Sequence, residues 1–185
     1  MNDLENAVEA LLQGKIIGYP TEGVFGIGCD PDNEEAVKRL LNIKKRRVEK
    51  GLILVASDYG QLLPYIDENQ LTETQKIKLQ ESWPGPVTWV IPASIQASHL
   101  LTGAFDTIAV RVTNHPLVKQ LCTLFGKPVT STSANLSGQP PSTKLDQVKR
   151  QLDDHLALVL PGHTGDRKTP TEIRDIRNLE ILRKG

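Results

Sequence analysis

Cysteine is scarce in this chain: Cys29 and Cys122 are its two thiols, and no CxxC spacing links them. That excludes a disulfide framework and a thiolate metal site. His99, His115, His155 and His163 also lack ligand spacing, so no metal cage built by the protein alone is expected. Aromatic residues make up 4% of the chain, too few for an RNA binder that works by stacking bases. No apolar run approaches the ~18 residues that span a bilayer, and the opening "MNDLENAVEALLQGK" is acidic and amphipathic, unlike a signal peptide. A soluble, cytoplasmic protein with no membrane partner is expected. Excess charge is missing too: Lys and Arg total 22 against 22 Asp and Glu, so any grip on phosphates or nucleic acid must come from a local patch. The GxxxxGK[ST] loop, the GxGxxG turn, the kinase motif set and the GxSxG elbow are all absent.

What is present reads as one continuous domain over residues 1–185, with neither repeats nor low-complexity segments. Leu4, Val8, Leu11 and Leu12 predict a helix closed by Gly14, and "IIGYP" a buried strand. Asp32 and Glu35 have capping-box spacing before a helix through Val37, Leu40, Leu41 and Lys44, followed by the strand "GLILVA". Thr72 and Gln75 repeat that spacing before another helix, "PGP" breaks the chain, and "VTWVIPA" reads as a strand. In "TIAVRVT", Ile108, Val110 and Val112 share one face while Thr107, Ala109, Arg111 and Thr113 share the other. Pro116 opens a helix that Gly126 closes, "PVTSTSAN" follows as a strand, and Leu145, Val148 and Leu152 mark a last helix. "LALVLPG" is strand-like, "HTGDRKTPTE" a polar loop and "LEILR" a final strand. The alternation predicts an α/β domain with a twisted mixed sheet flanked by helices, its ligand site beyond strand ends.

Three stretches have chemical interest. "KKRRVEK", Lys44 to Lys50, puts five cations and one acid between a helix and a strand; it is either a solvated helix terminus or a triphosphate clamp, and spacing alone does not choose. Mid-strand Arg111 is either an ordinary exposed sheet-face arginine or a bidentate partner for a small carboxylate. "VTSTSANLSGQPPS", from Val129, crowds short hydrogen-bonding side chains together, which suits a pocket for an oxygen-rich ligand better than a linker. The glycines of "GVFGIGCD" read as a tight strand-to-loop turn, and Trp83 and Trp89 as core or loop anchors.

Together, "YPTEGVFGIGCDP", "KKR", "WPGPVT", "AVRVTNHP", "STSANLSG" and "ILRKG" resemble the YrdC family in its short form, the threonylcarbamoyl-AMP synthases. The resemblance covers essentially the whole chain. It implies a single YrdC-like domain with a concave polar, basic cavity, and an enzyme that converts L-threonine, bicarbonate or CO2, and ATP to threonylcarbamoyl-adenylate and diphosphate. Mg2+ would arrive with ATP, held through the substrate phosphates. A t6A-transferase complex would then receive the adenylate to modify adenosine 37 of tRNAs reading codons that begin with A. The family's K-x-R and S-x-N tetrad falls on Lys44, Arg46, Ser133 and Asn135 as catalytic residues. Lys50, Thr107, Pro141 and Arg183 match ATP-lining positions; Arg111, Ser131 and Thr171 match threonine-binding ones. The chain departs from the family at Gly23, where Thr is frequent, at Arg47, where Pro is common, at Val55, where some members have His, and at "PTE" (Pro170 to Glu172) in place of "PST".

Two other functions compete. A non-catalytic module could grip double-stranded RNA or tRNA through the same basic run; it would be steeply salt-dependent and indifferent to Ser133 and Asn135. A carbamoyl-phosphate-using transferase, as in related domains of hydrogenase maturation proteins, would call for companion domains absent here.

Overall fold

The computed structural model describes residues Met1–Gly185 as a single nine-stranded mixed sheet with six helices. The helices are α1 (Asp3–Leu12), α2 (Glu34–Ile43), α3 (Glu73–Ser82), the single turn α4 (His99–Thr102), α5 (Pro116–Phe125) and α6 (Leu145–Leu152). The strands are β1 (Ile17–Pro20), β2 (Phe25–Gly28), β3 (Ile53–Ala56), β4 (Val87–Pro92), β5 (Thr107–Val112), β6 (Val129–Ser133), β7 (Leu158–Val159), β8 (Glu172–Asp175) and β9 (Ile181–Arg183). Their spatial order is β7-β1-β2-β6-β3-β5-β4-β8-β9. β6 runs antiparallel to both β2 and β3, while β3 and β5 are parallel. No helix is long and apolar enough to cross a membrane.

Period-two alternation explains how the sheet is covered. Leu54, Ala56, Ile108, Val110, Val112, Phe25 and Ile27 enter one large core, joined by Val37, Leu40, Leu79 and Val148 from α2, α3 and α6. Their strand neighbours of opposite parity, Ile17, Tyr19, Val55 and Val129, enter a smaller core beneath α1 and α5. The first face is therefore fully covered, and the second only where α1 and α5 lie on it. Over the rest of that second face, Ile53, Ser131, Ser133, Thr107, Ala109 and Arg111 line a cavity.

Local signals account for most boundaries. Thr72 and Gln75 form a reciprocal capping box, worth roughly 1 kcal/mol. The expected Asp32 and Glu35 box is not made: Asn33 caps α2 by accepting from the Ala36 N–H, and Asp32 accepts from the Tyr65 hydroxyl and pairs with Lys127. Pro116 opens α5 and Gly126 closes it in the left-handed conformation, as expected. On α1 it is Ala7, Ala10 and Leu11 that are buried, whereas Leu12 faces solvent, because α5 meets the helix on the alanine side. The strand-like "LALVLPG" pairs only at Leu158 and Val159. Glu172–Asp175 lies partly within the expected polar loop yet forms β8, in register with β4; four residues with three charged side chains carry no alternation that would reveal a strand.

Of the glycines of "GVFGIGCD", Gly23 lies in the bend between β1 and β2, as the expected turn has it, but Gly26 and Gly28 do not. Gly26 and Gly28 lie inside β2, where a Cβ on Gly28 would strike the Thr130 carbonyl and come within 2.8 Å of the Tyr19 hydroxyl. They are small because neighbouring chain passes too close for a side chain. Gly28→Ala is therefore expected to lower stability by about 2–3 kcal/mol, the cost of overpacking a closed site. Urea unfolding would measure this, and a midpoint equal to the parent protein's would show that the contact relaxes freely.

Candidate active site

The cavity encloses about 480 Å3, within the usual span for small-ligand sites. Its floor is the uncovered half of the sheet. Gly26 contributes no side chain there; a Cβ would meet the Tyr19 ring at 2.9 Å and Ser131 Oγ at 3.3 Å, so the glycine keeps Ser131 accessible. The walls come from the segment after α2 (Arg46, Lys50, Gly51), from Leu101 and Phe105, and from β8 and β9 with their flanks (Thr171, Ile173, Arg183).

The backbone after α2 aims the basic run. Lys44 is the C-cap residue and Lys45 adopts a left-handed conformation, φ 47°, reversing the chain at a cost of roughly 1 kcal/mol for a non-glycine residue. That turn leaves Lys45 exposed and directs its two neighbours inward. Arg46 Nε donates to the Gly51 carbonyl at 2.9 Å, and Arg46 lines the cavity. Lys44 stops behind the lining. Its ammonium donates to the Ser133 carbonyl at 2.7 Å, the Asn135 carbonyl at 2.7 Å and Asn135 Oδ1 at 2.9 Å, using all three protons. Ser133 Oγ donates to the same Oδ1 at 2.6 Å, and Asn135 Nδ2 donates to the Leu136 and Gln139 carbonyls. The two distant motifs thus meet in one closed network. Burial, and then the nearby Arg46 charge, lower the Lys44 ammonium to about 8.

Five cations line the cavity, Arg46, Lys50, Arg111, Arg177 and Arg183, against one carboxylate, Asp175. Arg177 is bound to Asp175, and Arg111 forms an ion pair with Glu22. Arg46, Lys50 and Arg183 form no ion pair at all. Arg183 donates twice to the Thr171 carbonyl, from Nε at 3.1 Å and Nη2 at 2.7 Å, and burial with the Arg46 and Arg111 charges lowers its pKa from the ordinary guanidinium value. A site with three uncompensated cations suits a polyanion.

Of the two readings of Arg111, the ordinary exposed sheet-face arginine is ruled out: Arg111 is 3% exposed. Its Nη1 faces Glu22, while Nε is enclosed without a protein acceptor. Ser131 and Ser133 line the same cavity, and so do Thr107 and Thr171; the Thr171 hydroxyl also meets the Thr88 hydroxyl at 3.1 Å. Pro141 is not brought there, lying in a separate shallow hollow with Thr143 and Arg150. Trp89 is 2% exposed and anchored through Nε1 to Ser82 Oγ, and Trp83 donates to the Val87 carbonyl, both as anchors.

Sequence reasoning assigned no role to Glu22, Asp175 or Phe105. A lone acid in the turn after β1 and an unpaired mid-strand arginine were the available signal for Glu22, but nothing local pairs residues that far apart.

Residues 161–171 form a strap whose end, Pro170 and Thr171, lines the cavity. The Gly165 N–H donates to the Thr21 carbonyl at 2.9 Å. His115 Nδ1 accepts from the Leu117 N–H, so its Nε2 carries the proton and donates to the His163 carbonyl at 2.7 Å. Gly23 lies directly against the Thr169 carbonyl, where a Cβ has no room. Gly23→Ala is accordingly expected to lift the strap and speed tryptic cleavage after Arg167 or Lys168 roughly tenfold. Unchanged cleavage would show that Gly23 does not set the strap.

Comparison with known proteins places this geometry. The family model Sua5_yciO_yrdC, described as "Telomere recombination", matches residues 9–185. A threonylcarbamoyl-AMP synthase of Vibrio campbellii is 57% identical over 185 residues, all of both chains, and that of Photobacterium profundum is equally similar. Among solved structures, P. abyssi Sua5 complexed with L-threonine superimposes with a TM-score of 0.90 at 28% identity, covering 97% of this chain and 53% of that one. The present chain thus spans about half of the archaeal protein.

Proposed function

The chain belongs to the Sua5, YciO and YrdC family, and from that membership we propose that its cavity makes threonylcarbamoyl-AMP from L-threonine, bicarbonate or CO2, and ATP. The observation that carries this is the convergence of Arg46, Lys50 and Arg183, all without acidic partners, on the same enclosed space as Arg111 and a row of hydroxyls. A non-catalytic RNA-binding module needs its cations spread over open surface instead.

The triphosphate lies against Arg46, Lys50 and Arg183, with Thr107 beside it. Threonine places its carboxylate on Arg111, with Ser131 and Thr171 around it. The threonine ammonium gives one proton to water to become an amine, which adds through nitrogen to CO2 and gives up a second proton to water, leaving a carbamate. A carbamate oxygen then attacks the α-phosphorus, the bond to the bridging oxygen breaks, and its electron pair leaves with diphosphate. Holding both anions in one cavity supplies proximity, and the fixed cations stabilise charge growing on the leaving group. The Lys44, Ser133 and Asn135 network fixes the end of β6 against this site. Pro141, outside the cavity, is left out of the assignment.

The donor set fits a Mg2+ carried in by ATP. No group of three His, Cys, Asp or Glu side chains could cage an ion, and Asp175 is taken by Arg177. Phosphate oxygens and water would hold it, with Ser133 Oγ as an available protein oxygen, and the ion would neutralise phosphate charge. In the cytoplasm the adenylate would pass to a t6A-transferase complex for tRNA modification.

Purified protein with Mg2+ and bicarbonate should release diphosphate from ATP when L-threonine is present and far less without it. Arg46→Ala and Ser133→Ala should each lose about two to three powers of ten. Threonine-independent release, or near-normal turnover in both variants, would overturn the assignment.

A pH dependence follows from Lys44. Its ammonium is charged below about 8 and neutral above, so ATP affinity, measured calorimetrically, should fall as pH rises through that value. Lys44→Arg, which stays charged, should remove the fall. Folding stability moves oppositely: between about 8 and the ordinary value of 10.5 the unfolded chain binds the extra proton, so Lys44 contributes increasing stability as pH rises. An ATP affinity flat across this window would show that the Lys44 charge, acting from behind the lining, has no effect on the nucleotide.

A further inference from the structure

Arg111 is a buried cavity cation whose charge is met by a carboxylate on another loop, and the manner of pairing is informative. A guanidinium offers two bidentate edges, one between its terminal nitrogens and one between Nε and Nη2. Glu22 occupies Nη1. The edge left over contains Nε, which is fully enclosed and has no acceptor in the protein. Nη2, the other nitrogen of that edge, has no partner either and is not enclosed, so an acceptor arriving with the substrate meets this edge at Nη2 and relieves the costly unpaired donor beside it.

Glu22 itself does not line the cavity; Arg111 does. Besides Arg111, the Glu22 carboxylate accepts from the Thr113 hydroxyl at 2.8 Å and the Asn114 N–H at 3.2 Å. It therefore ties the turn after β1 to the residues that leave β5. Burial raises the pKa of this carboxyl, but Arg111, Thr113 and Asn114 together hold it below the ordinary carboxylate range. The same turn carries the strap, since Gly165 donates to Thr21 and lies against the Glu22 backbone.

We propose that Glu22 is the positioning residue for the amino-acid substrate: by occupying Arg111 Nη1 it presents the Nε and Nη2 edge to the substrate carboxylate. This rests on the reading of the cavity as a threonine site. Without Glu22, Arg111 has a second edge to offer and an uncompensated charge facing Arg46 and Arg183, so the carboxylate loses its single orientation. Glu22 touches no substrate atom, and its effect reaches threonine only through Arg111. ATP, bound by the other cations, does not depend on it.

The test measures L-threonine and ATP dissociation constants separately by calorimetry, on the full chain as wild type, Glu22→Gln, Glu22→Ala and Arg111→Ala. Threonine affinity should weaken roughly tenfold in Glu22→Gln, which retains an acceptor but no charge, and roughly a hundredfold in Glu22→Ala and Arg111→Ala. ATP affinity should stay within about twofold throughout. The Arg111 Nε–H resonance should shift on threonine addition in the wild type and not in Glu22→Ala. Should Glu22→Ala fail to fold by thermal unfolding, the isosteric Glu22→Gln carries the test. Parallel weakening of both ligands, or unchanged threonine affinity in Glu22→Gln, would overturn the proposal. A wild type that binds no threonine would remove its premise, and that result is distinct from the variant outcomes.

Discussion

Like charges crowded around one partly enclosed space are the constraint on which the rest of this structure depends. Coulomb repulsion between cations strengthens as water is excluded, so a cavity lined by five of them cannot be left uncompensated. Protein groups hold four of them, each differently, and Lys50 is left without a partner. Arg177 is neutralised by Asp175 and Arg111 by Glu22. Arg46 and Arg183 are held by carbonyl dipoles from Gly51 and Thr171. Lys44, just behind, is surrounded by three oxygens. The charge that remains uncompensated is the charge a polyanionic ligand would complete, which makes the empty site electrostatically unfavourable and the filled one favourable.

That arrangement requires a sheet face that is neither buried nor exposed. Burying it under a third helix layer would leave no cavity; exposing it would let water screen the cations. Covering only half of the second face with α1 and α5, and bordering the remainder with the segment after α2, the strap and β9, produces the intermediate case. The antiparallel position of β6 between β2 and β3 is decisive, because it brings Ser131 and Ser133 to the middle of the sheet beside Gly26 and Ile53. Close approach at Gly26 and Gly28 then keeps that part of the floor free of bulk.

How much of this could be read from sequence depended on range. Periodicity and caps located α3, α5, α6 and the strands β3 to β6, because those signals act within a few residues. The alternation in β5 correctly separated Ile108, Val110 and Val112 from Thr107, Ala109 and Arg111, and so identified the cavity face before any tertiary contact was known. Strand β8 stayed hidden because its pairing with β4 is set by tertiary contact, not by its own residues. The Asp32 cap failed for a related reason: Tyr65 and Lys127, distant in sequence, claimed its carboxylate and left Asn33 to cap the helix. In the site, motif resemblance brought Arg46, Lys50, Arg111, Ser131 and Ser133 together, but the burial of Arg111 and its partner Glu22 depended on a contact no local pattern encodes.

The S-x-N segment shows why residue type alone underdetermines role. Asn135 Nδ2 donates to the Leu136 and Gln139 carbonyls, which fixes the amide so that Oδ1 faces Ser133 and Lys44. Oδ1 cannot donate, so the Ser133 hydroxyl must give it its proton. Ser133 in the resting protein is consequently an acceptor toward the cavity, and can donate to an arriving phosphate only by rotating its hydroxyl away from Asn135. Lys44 makes that rotation less costly, because Oδ1 keeps an ammonium donor when the serine leaves. Lys44 thereby acts through the network it holds, with all three of its protons committed to protein oxygens, while Arg46, whose terminal nitrogens are uncommitted, reaches the cavity directly, as Ser133 does.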